Sequence, residues 1–315
     1  VSRSGVSEEN NKLITGNVCA VIVTYNRKEL LQQGLHAVLA QTRPPDQILV
    51  VNNASTDGTA AMLAQYFPQV QTLHLPENLG GAGGYHHGMQ WALEHGFDWM
   101  MVMDDDGQPA PACLQTLLAP ADPHLQVRAP LVLSNADPTH MAFTLHLQNG
   151  AVTTRLQAAQ VAANGLIRGQ INPFNGILIH RAVVEQIGLP LKEFFLWGDE
   201  YEYFLRLRRA DLAMATVVEA HFYHPPDRMQ VHRVRLWFKE FPVNYANHPL
   251  KDYLILRNQA YILKTYRGWP GWLAHVLRSL VFYRRVVGVP AWPGVFKACL
   301  HGARADFSHH KQFLS

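Results

Sequence analysis

Cysteine is scarce in this sequence: 315 residues hold three, Cys19, Cys113 and Cys299. They lie far apart, show no metal-ligand spacing and cannot all pair. That argues against a disulfide scaffold or a cysteine metal site and favours a reducing, cytosolic compartment. Long hydrophobic runs are missing as well. No stretch reaches the roughly 18 to 20 apolar residues that span a bilayer, so any membrane association is expected to be peripheral. The first sixteen residues, VSRSGVSEENNKLITG, lack the apolar core of a secretory signal and read as a polar tail outside the fold. Acids run out toward the C-terminus: from Lys251 onward only Asp252 and Asp306 remain, although the whole chain carries a formal net charge of only +3. That asymmetry suggests an anionic surface or acceptor. The sequence has no low-complexity tract and no internal repeat beyond an alternation of strands and helices.

A hydrophobic content of 48% is enough for a real buried core. Val18 to Val23 is an apolar, β-branched run. The polar turn Thr24 to Arg27 follows, then a helical pattern of Leu30, Leu31, Leu35, Val38 and Leu39. A second unit repeats the plan: strand Gln47 to Val51, polar loop Asn52 to Asp57, a helix from Gly58 to about Tyr66 and a short strand Val70 to Leu75. A third helix, near Gly84 to Gly96, leads into strand Trp99 to Met103, which ends in Asp104, Asp105 and Asp106. This alternation predicts an α/β fold with a helix-wound parallel sheet, whose ligand binds beyond the carboxyl ends of the strands. Residues from Gln126 to about Ile179 look β-rich, a helix is expected at about Glu200 to Ala210, and Ala215 to Val218 reads as a strand. Beyond Pro242 the pattern turns helical and basic, with helices at Tyr253 to Tyr266, Trp272 to Val287 and Val295 to about Ala305. The expected organisation is a tail over 1–16, a catalytic domain over 17–241 and a helical C-terminal region over 242–315.

Three carboxylates in a row at a strand end repel one another unless a cation or hydrogen bonds compensate. Alternate side chains of an extended segment point the same way, so Asp104 and Asp106 can share one divalent ion through oxygen ligands, as Mg²⁺ or Mn²⁺ prefers. A solvated acidic turn is the plain alternative. Asn78-Leu79-Gly80-Gly81-Ala82-Gly83-Gly84 places four glycines between a strand and a helix, which permits positive φ and close backbone approach to a ligand. Its spacing differs from the dinucleotide G-x-G-x-x-G fingerprint, and a merely flexible turn is the competing reading. Trp197-Gly198-Asp199-Glu200 puts two carboxylates at the mouth of a helix. Either caps that helix, or Asp199 is a base that takes a proton from an acceptor hydroxyl. His221 and His224, before Pro225 and Pro226, offer a nitrogen ligand for a metal. With 17 histidines in the chain, a bystander role competes for each.

In their order along the chain, these segments resemble the family 2 glycosyltransferases of the GT-A fold, and within them the galactofuranosyltransferase and rhamnosyltransferase group. The resemblance runs from about Val18 to His224. Thr24, Tyr25 and Arg27 lie in a segment similar to the first nucleotide-binding loop. Val51 to Asp57, with Asn53 and Asp57, resembles the loop that grips base and ribose, with Asn52-Asn53 where many members carry acids. Asn78, Gly80 and Gly81 belong to a stretch similar to the N-x-G-G-x-G-G of the galactofuranosyl branch. The resemblance implies a Rossmann-like nucleotide-binding core with a mixed sheet, and Mn²⁺ or Mg²⁺ held by Asp104, Asp106 and His224, with His221 as fallback. It implies Asp199 as the base, Glu200 beside the acceptor, and Asp105 and Trp197 among the donor-binding residues. Asn175 and Gly176 resemble a segment near sugar and acceptor. The implied activity is inverting transfer of galactofuranose from UDP-galactofuranose to a glycan or polyprenyl-linked acceptor in cell-surface polysaccharide synthesis.

Transfer from dTDP-rhamnose keeps the same fold, although the glycine-rich segment favours galactofuranose. A non-catalytic nucleotide-sugar binding module is expected to lack the base or metal carboxylates, and both are present. A nucleotidyltransferase is expected to carry a basic, glycine-rich loop after the first strand, and Thr24 to Arg27 has no glycine. The C-terminal aromatics follow helical spacing rather than a stacking platform, which argues against nucleic acid. Arg278, Arg284, Arg285 and Lys297 with Trp269, Trp272, Phe282, Tyr283, Trp292 and Phe296 suit either the inner face of an anionic plasma membrane or a hairpin packed on the core.

Overall fold

A computed structural model describes residues 16–120, 122, 124–226, 230–236 and 239–314. All but the last residue of the expected N-terminal tail lies outside the described residues. The chain divides into two compact units, Val1–Pro190 with Arg206–Asp227, and Leu191–Leu205 with Arg228–Ser315.

The first unit is built on a mixed sheet. Strands β1 (Val18–Thr24), β2 (Gln47–Asn52), β3 (Gln71–His74) and β4 (Trp99–Asp104) run parallel in the order β3-β2-β1-β4. The β-branched and apolar residues of β1, β2 and β4 are buried almost throughout, as strands covered on both faces require, whereas β3 at the edge is exposed to half-buried. The register aligns their carboxyl ends, with Val23 opposite Asp104 and Thr24 opposite Asn52. β5 (Gln108–Pro109) follows the aspartates, then β6 (Val127–Ser134), β7 (His140–Leu147), β8 (Gly150–Thr154), β9 (Leu166–Arg168) and β10 (Asn175–His180). The sheet continues from β4 through β10 and β6 to β11 (Met214–His224) and β5. β10 is antiparallel to β4 and β6, and this reversal makes the sheet mixed. Where the sequence predicts a strand over Ala215 to Val218, β11 runs on to His224, through an irregularity between Val217 and His221 that conceals its continuation.

Helices α1 (Lys28–Leu39), α2 (Thr59–Tyr66) and α3 (Gly80–Glu94) link the parallel strands. In α1 the buried stripe is Leu31, Leu35 and Val38, while Leu30 and Leu39 of the predicted pattern are exposed. α3 starts at Gly80, earlier than the predicted Gly84, so the glycine-rich segment is itself helix. The reason is packing: a Cβ on Gly84 would lie 2.3 Å from Cγ1 of Val23, and one on Gly88 would lie 2.4 Å from Cγ1 of Val21. These glycines let the helix lie directly on β1. Gly80, with φ 70°, is the position in the segment that uses a glycine's backbone freedom. Short helices α4 (Cys113–Leu118), α5 (Arg155–Val161) and α6 (Arg181–Ile187) complete this part of the chain.

α7 (Asp199–Arg209) begins in the second unit. That unit holds the hairpin β12 (Gln230–Leu236) with β13 (Lys239–Tyr245), α8 (Pro249–Val286) and α9 (Trp292–Ala303). α8 is broken at Gly268, whose φ of 69° is non-helical, just before Pro270. Its core gathers Phe195, Val234, Tyr253, Leu254, Val276, Phe282 and Cys299. The boundary expected after residue 241 would cut β13, and the contacts instead group Leu191–Leu205 with the C-terminal helices. Among the described residues no helix is long and apolar enough to cross a membrane.

Candidate active site

β4 ends at Asp104, and Asp105 and Asp106 stand in the turn that follows. Asp105 is buried, accepting from Thr24 Oγ1 at 2.8 Å and from the Arg27 guanidinium at 3.1 Å. Burial raises its pKa above the ordinary value, against the lowering effect of Arg27 and Thr24. Asp106 Oδ2 shares the same Arg27 donor at 3.1 Å, and Asp106 and Asp104 both meet His224. Each of the three supplies a ligand atom within a span of 4.8 Å.

His224 shows what this arrangement is suited to. Its Nδ1 lies 2.6 Å from the Pro225 carbonyl, an acceptor, so Nδ1 carries the proton and Nε2 presents a lone pair. That nitrogen faces Asp106 Oδ1 at 3.0 Å, and the oxygen is buried without an aligned hydrogen bond. Two lone pairs facing each other, with a second carboxylate beside them, fit a divalent cation with oxygen and imidazole ligands. Without a cation the groups compensate one another. For His224 burial alone favours the neutral ring, but Asp106 outweighs it and lifts the pKa. Burial would likewise raise Asp106, but His224 and then Arg27 hold it low. Asp104 is pushed up to about 7 by burial and by its two neighbouring carboxylates, although the Tyr85 hydroxyl donates to it.

Phe222, fully buried two residues before His224, explains why His224 rather than His221 reaches the aspartates. A Cβ on Gly107 or on Gly176 would lie 2.3 or 2.5 Å from its ring, so Phe222 packs directly on the aspartate turn and on the start of β10. His224 shares the face of β11 occupied by Phe222, whereas His221 is outside the cluster and its Nε2 is buried without a partner. Asn175, beside Met103 in register, also has a buried Oδ1 without a partner.

The remaining donor-loop residues divide by what already occupies them. Asn53 is buried with both ends of its amide used, Oδ1 accepting from Leu79 N at 2.8 Å and Nδ2 donating to Gly80 O at 2.9 Å. It shapes the glycine-rich segment. Asn78 Oδ1 accepts from Gly80 N at 2.8 Å. Asp57 accepts from the backbone N–H groups of Lys28 and Thr59, joining the first turns of α1 and α2. Burial would raise its pKa, but the Thr59 hydroxyl and these N–H groups hold it below the usual range. Gly81 is half-buried and its added Cβ would meet nothing closer than Tyr85 at 3.9 Å. Tyr25 is exposed, and Arg27 keeps half of its side chain accessible.

In the second unit Trp197, Asp199 and Glu200 lie together. Glu200 Oε2 accepts from Gly198 N at 3.1 Å, which ties Glu200 back to the turn before α7. Asp199 is buried as the first residue of α7, and Lys251 Nζ lies 5.3 Å from the centroid of the Trp197 ring. The carbonyls of Phe194, Leu196 and Trp197 all face the side-chain amide of Asn258, a residue that the sequence pattern did not single out. His301, Asp306 and His309 form a second metal-like group, but the two rings stack at 4.0 Å with 13° between planes. One ion cannot lie in the planes of both stacked rings.

Residues 19–169 match the family model described as glycosyl transferase family 2. The galactofuranosyltransferase GlfT1 of Mycolicibacterium smegmatis is 35% identical over 289 residues, covering 87% of this chain and 93% of that protein. The chain belongs to glycosyl transferase family 2. Staphylococcus aureus TarS 1-349 in complex with UDP-GlcNAc superimposes with a TM-score of 0.55 at 13% identity, covering 94% of this chain and 90% of that one. GalNAc-T7 with UDP, GalNAc and Mn²⁺ gives 0.53 at 13% identity, covering 87% and 59%. At such identities these two structures support the fold alone, the GT-A architecture. For a family 2 member, Tyr85, Phe222 and Asn258 are the residues that sequence reasoning missed: each acts through a partner distant in the chain.

Proposed function

We propose that this glycosyltransferase moves galactofuranose from UDP-galactofuranose, with inversion, onto a glycan or polyprenyl-linked acceptor in cell-surface polysaccharide synthesis. The observation that carries the reading is identity to a galactofuranosyltransferase along nearly the full length of both chains. Asp104, Asp106 and His224 would hold Mn²⁺ or Mg²⁺, which supplies positive charge to offset that on the departing diphosphate. The exposed half of Arg27 and the exposed ring of Tyr25 are available to the nucleotide. Asn175 Oδ1, buried and without a partner, is suited to accept from a sugar hydroxyl. Asp199 takes the proton from the acceptor hydroxyl as that oxygen bonds to the anomeric carbon and the bond to the UDP oxygen breaks. A single displacement inverts the centre and requires no covalent enzyme nucleophile.

The deciding experiment is calorimetric titration with UDP and with dTDP, each with Mn²⁺ and with chelator, followed by product analysis with UDP-galactofuranose. Metal-dependent UDP binding and galactofuranosyl product support the reading, while preference for dTDP moves the donor to dTDP-rhamnose. Asp199→Asn is expected to bind UDP and fail to transfer; transfer at the wild-type rate removes Asp199 from the base role.

We propose further that the enzyme works at the inner face of the plasma membrane, where a polyprenyl-linked acceptor would lie. Trp269, Leu273, Leu277 and Phe296 of α8 and α9 are exposed, and no acid lies between Asp252 and Asp306. Co-sedimentation is expected with phosphatidylcholine vesicles containing about 30 mol% phosphatidylglycerol, and is expected to weaken in Leu277→Glu. Equal recovery of both proteins with these vesicles argues against this surface.

A further inference from the structure

We propose that Asn258, oriented by Arg257, is a positioning residue that fixes the direction of Asp199; this rests on Asp199 being the base. The segment entering α7 is backbone-strained. Phe195, Trp197 and Gly198 have φ of 66°, 63° and 90°, so three of four consecutive residues are left-handed and two of them carry large aromatic side chains. Such a conformation persists only where surrounding groups over-determine it. Here one side chain does most of that. Asn258 Nδ2 lies 3.1 Å from Phe194 O, 3.1 Å from Leu196 O and 2.7 Å from Trp197 O.

The amide cannot turn to present its oxygen instead. Arg257 Nε donates to Asn258 Oδ1 at 2.9 Å, which fixes the amide's sense. Arg257 also holds the segment directly, its Nη2 donating to Phe194 O at 2.8 Å and to Glu193 O at 3.2 Å. Both side chains are buried, at 0% and 1% exposure, so water is not available to substitute for either. The bonds span more than 60 residues of chain and end at Trp197, two residues before Asp199. Gly198 fits the same frame: a Cβ there would lie 3.5 Å from Asn258 Cβ, so the turn lies against α8 at ordinary van der Waals distance. Losing the amide takes this donor from the Leu196 and Trp197 carbonyls, while Phe194 O keeps Arg257 Nη2 and the Leu196 N–H, and the turn at Trp197 relaxes. The first residue of α7 then loses its set direction, while the aspartate and histidine cluster on β4 and β11 belongs to the other unit.

The test is steady-state kinetics on Asn258→Ala in the full-length chain, together with Mn²⁺-dependent UDP affinity. We expect kcat to fall about a hundredfold while donor KM and UDP affinity stay within about twofold of wild type. In the Asp199→Asn background the same change should cost almost nothing, because there is no longer a base to misplace. A kcat within about threefold of wild type, a parallel loss of UDP affinity, or a full additive loss in the Asp199→Asn background overturns the proposal. If Asn258→Ala does not fold, Arg257→Lys carries the same test: it keeps the charge but removes the Nε donor that orients the amide. The two readings fail separately. Asp199→Asn with wild-type transfer removes the base, whereas an inactive Asp199→Asn beside an active, folded Asn258→Ala removes only the positioning.

Discussion

Replacing Gly84 by alanine tests how α3 sits on β1 and what depends on it. The added Cβ would lie 2.3 Å from Cγ1 of Val23, 3.1 Å from its Cγ2 and 3.3 Å from its Cβ, where ordinary contacts are 3.4–4 Å. Rotating the valine does not clear all three. Nor can the strand give way, since Val23 pairs with Val51 on one side and Asp104 on the other. The helix must lift. Overpacking of this kind costs about 1–3 kcal/mol, offset by about 0.5–1 kcal/mol from alanine's better helix propensity. The balance spans about 0–2.5 kcal/mol; with the strand unable to give way the loss falls in its upper part, about 1–2 kcal/mol, which corresponds to a fall of roughly 2–8 °C in Tm for a domain of this size. Tyr85 is the next residue and donates to Asp104, so on the proposed metal site a lifted helix is also expected to weaken UDP binding in the presence of Mn²⁺. Thermal unfolding followed by circular dichroism and calorimetric UDP titration read the two effects. Val23→Ala in the Gly84→Ala background removes the clashing methyls and should recover at least half of the lost Tm. An unchanged Tm in Gly84→Ala, or a second loss added by Val23→Ala, refutes the packing argument.

Asp106→Ala removes the carboxylate that faces His224 Nε2, and UDP binding should lose its dependence on Mn²⁺; calorimetry that finds the same metal-dependent affinity excludes this cation site. His275 gives a pH prediction for stability. Burial, then the charge of Arg278, depresses its pKa to about 4, so the folded state keeps the ring neutral while the unfolded chain binds a proton below about 6.5. Its contribution is therefore complete above about pH 6.5, declines by up to about 1.4 kcal/mol per pH unit toward pH 4, and is flat below. Urea unfolding from pH 7 to 4 should show a shallower decline in His275→Gln than in wild type. Equal slopes count against the assignment.

The strand ends and the acids on them were legible because their signals are local. Apolar runs Val18 to Val23, Gln47 to Val51 and Trp99 to Met103 put Thr24, Asn52 and Asp104 at the carboxyl edge, whereas Asp105 and Asp106 stand in the turn after β4. The glycine-rich segment was legible as special but not in kind: its composition does not say whether the missing side chains make room for a ligand or for Val23 and Val21, and only the contact across α3 and β1 decides that. The bonds of Asn53 to Leu79 and Gly80, 26 and 27 residues away in the chain, were not legible in the sequence. The choice of His224 over His221 rests on which face of β11 Phe222 occupies, beyond an irregularity that breaks the strand's simple period. Asn258 lies within α8 with nothing around it in sequence to mark it. Its role comes from carbonyls more than 60 residues earlier in the chain, which the fold brings within hydrogen-bond distance. The sequence by itself determined which elements form and which carboxylates stand at their ends, because period and turn chemistry act over a few residues. Only the tertiary structure decided which partner each polar group meets, because those bonds depend on close packing between segments far apart in the chain.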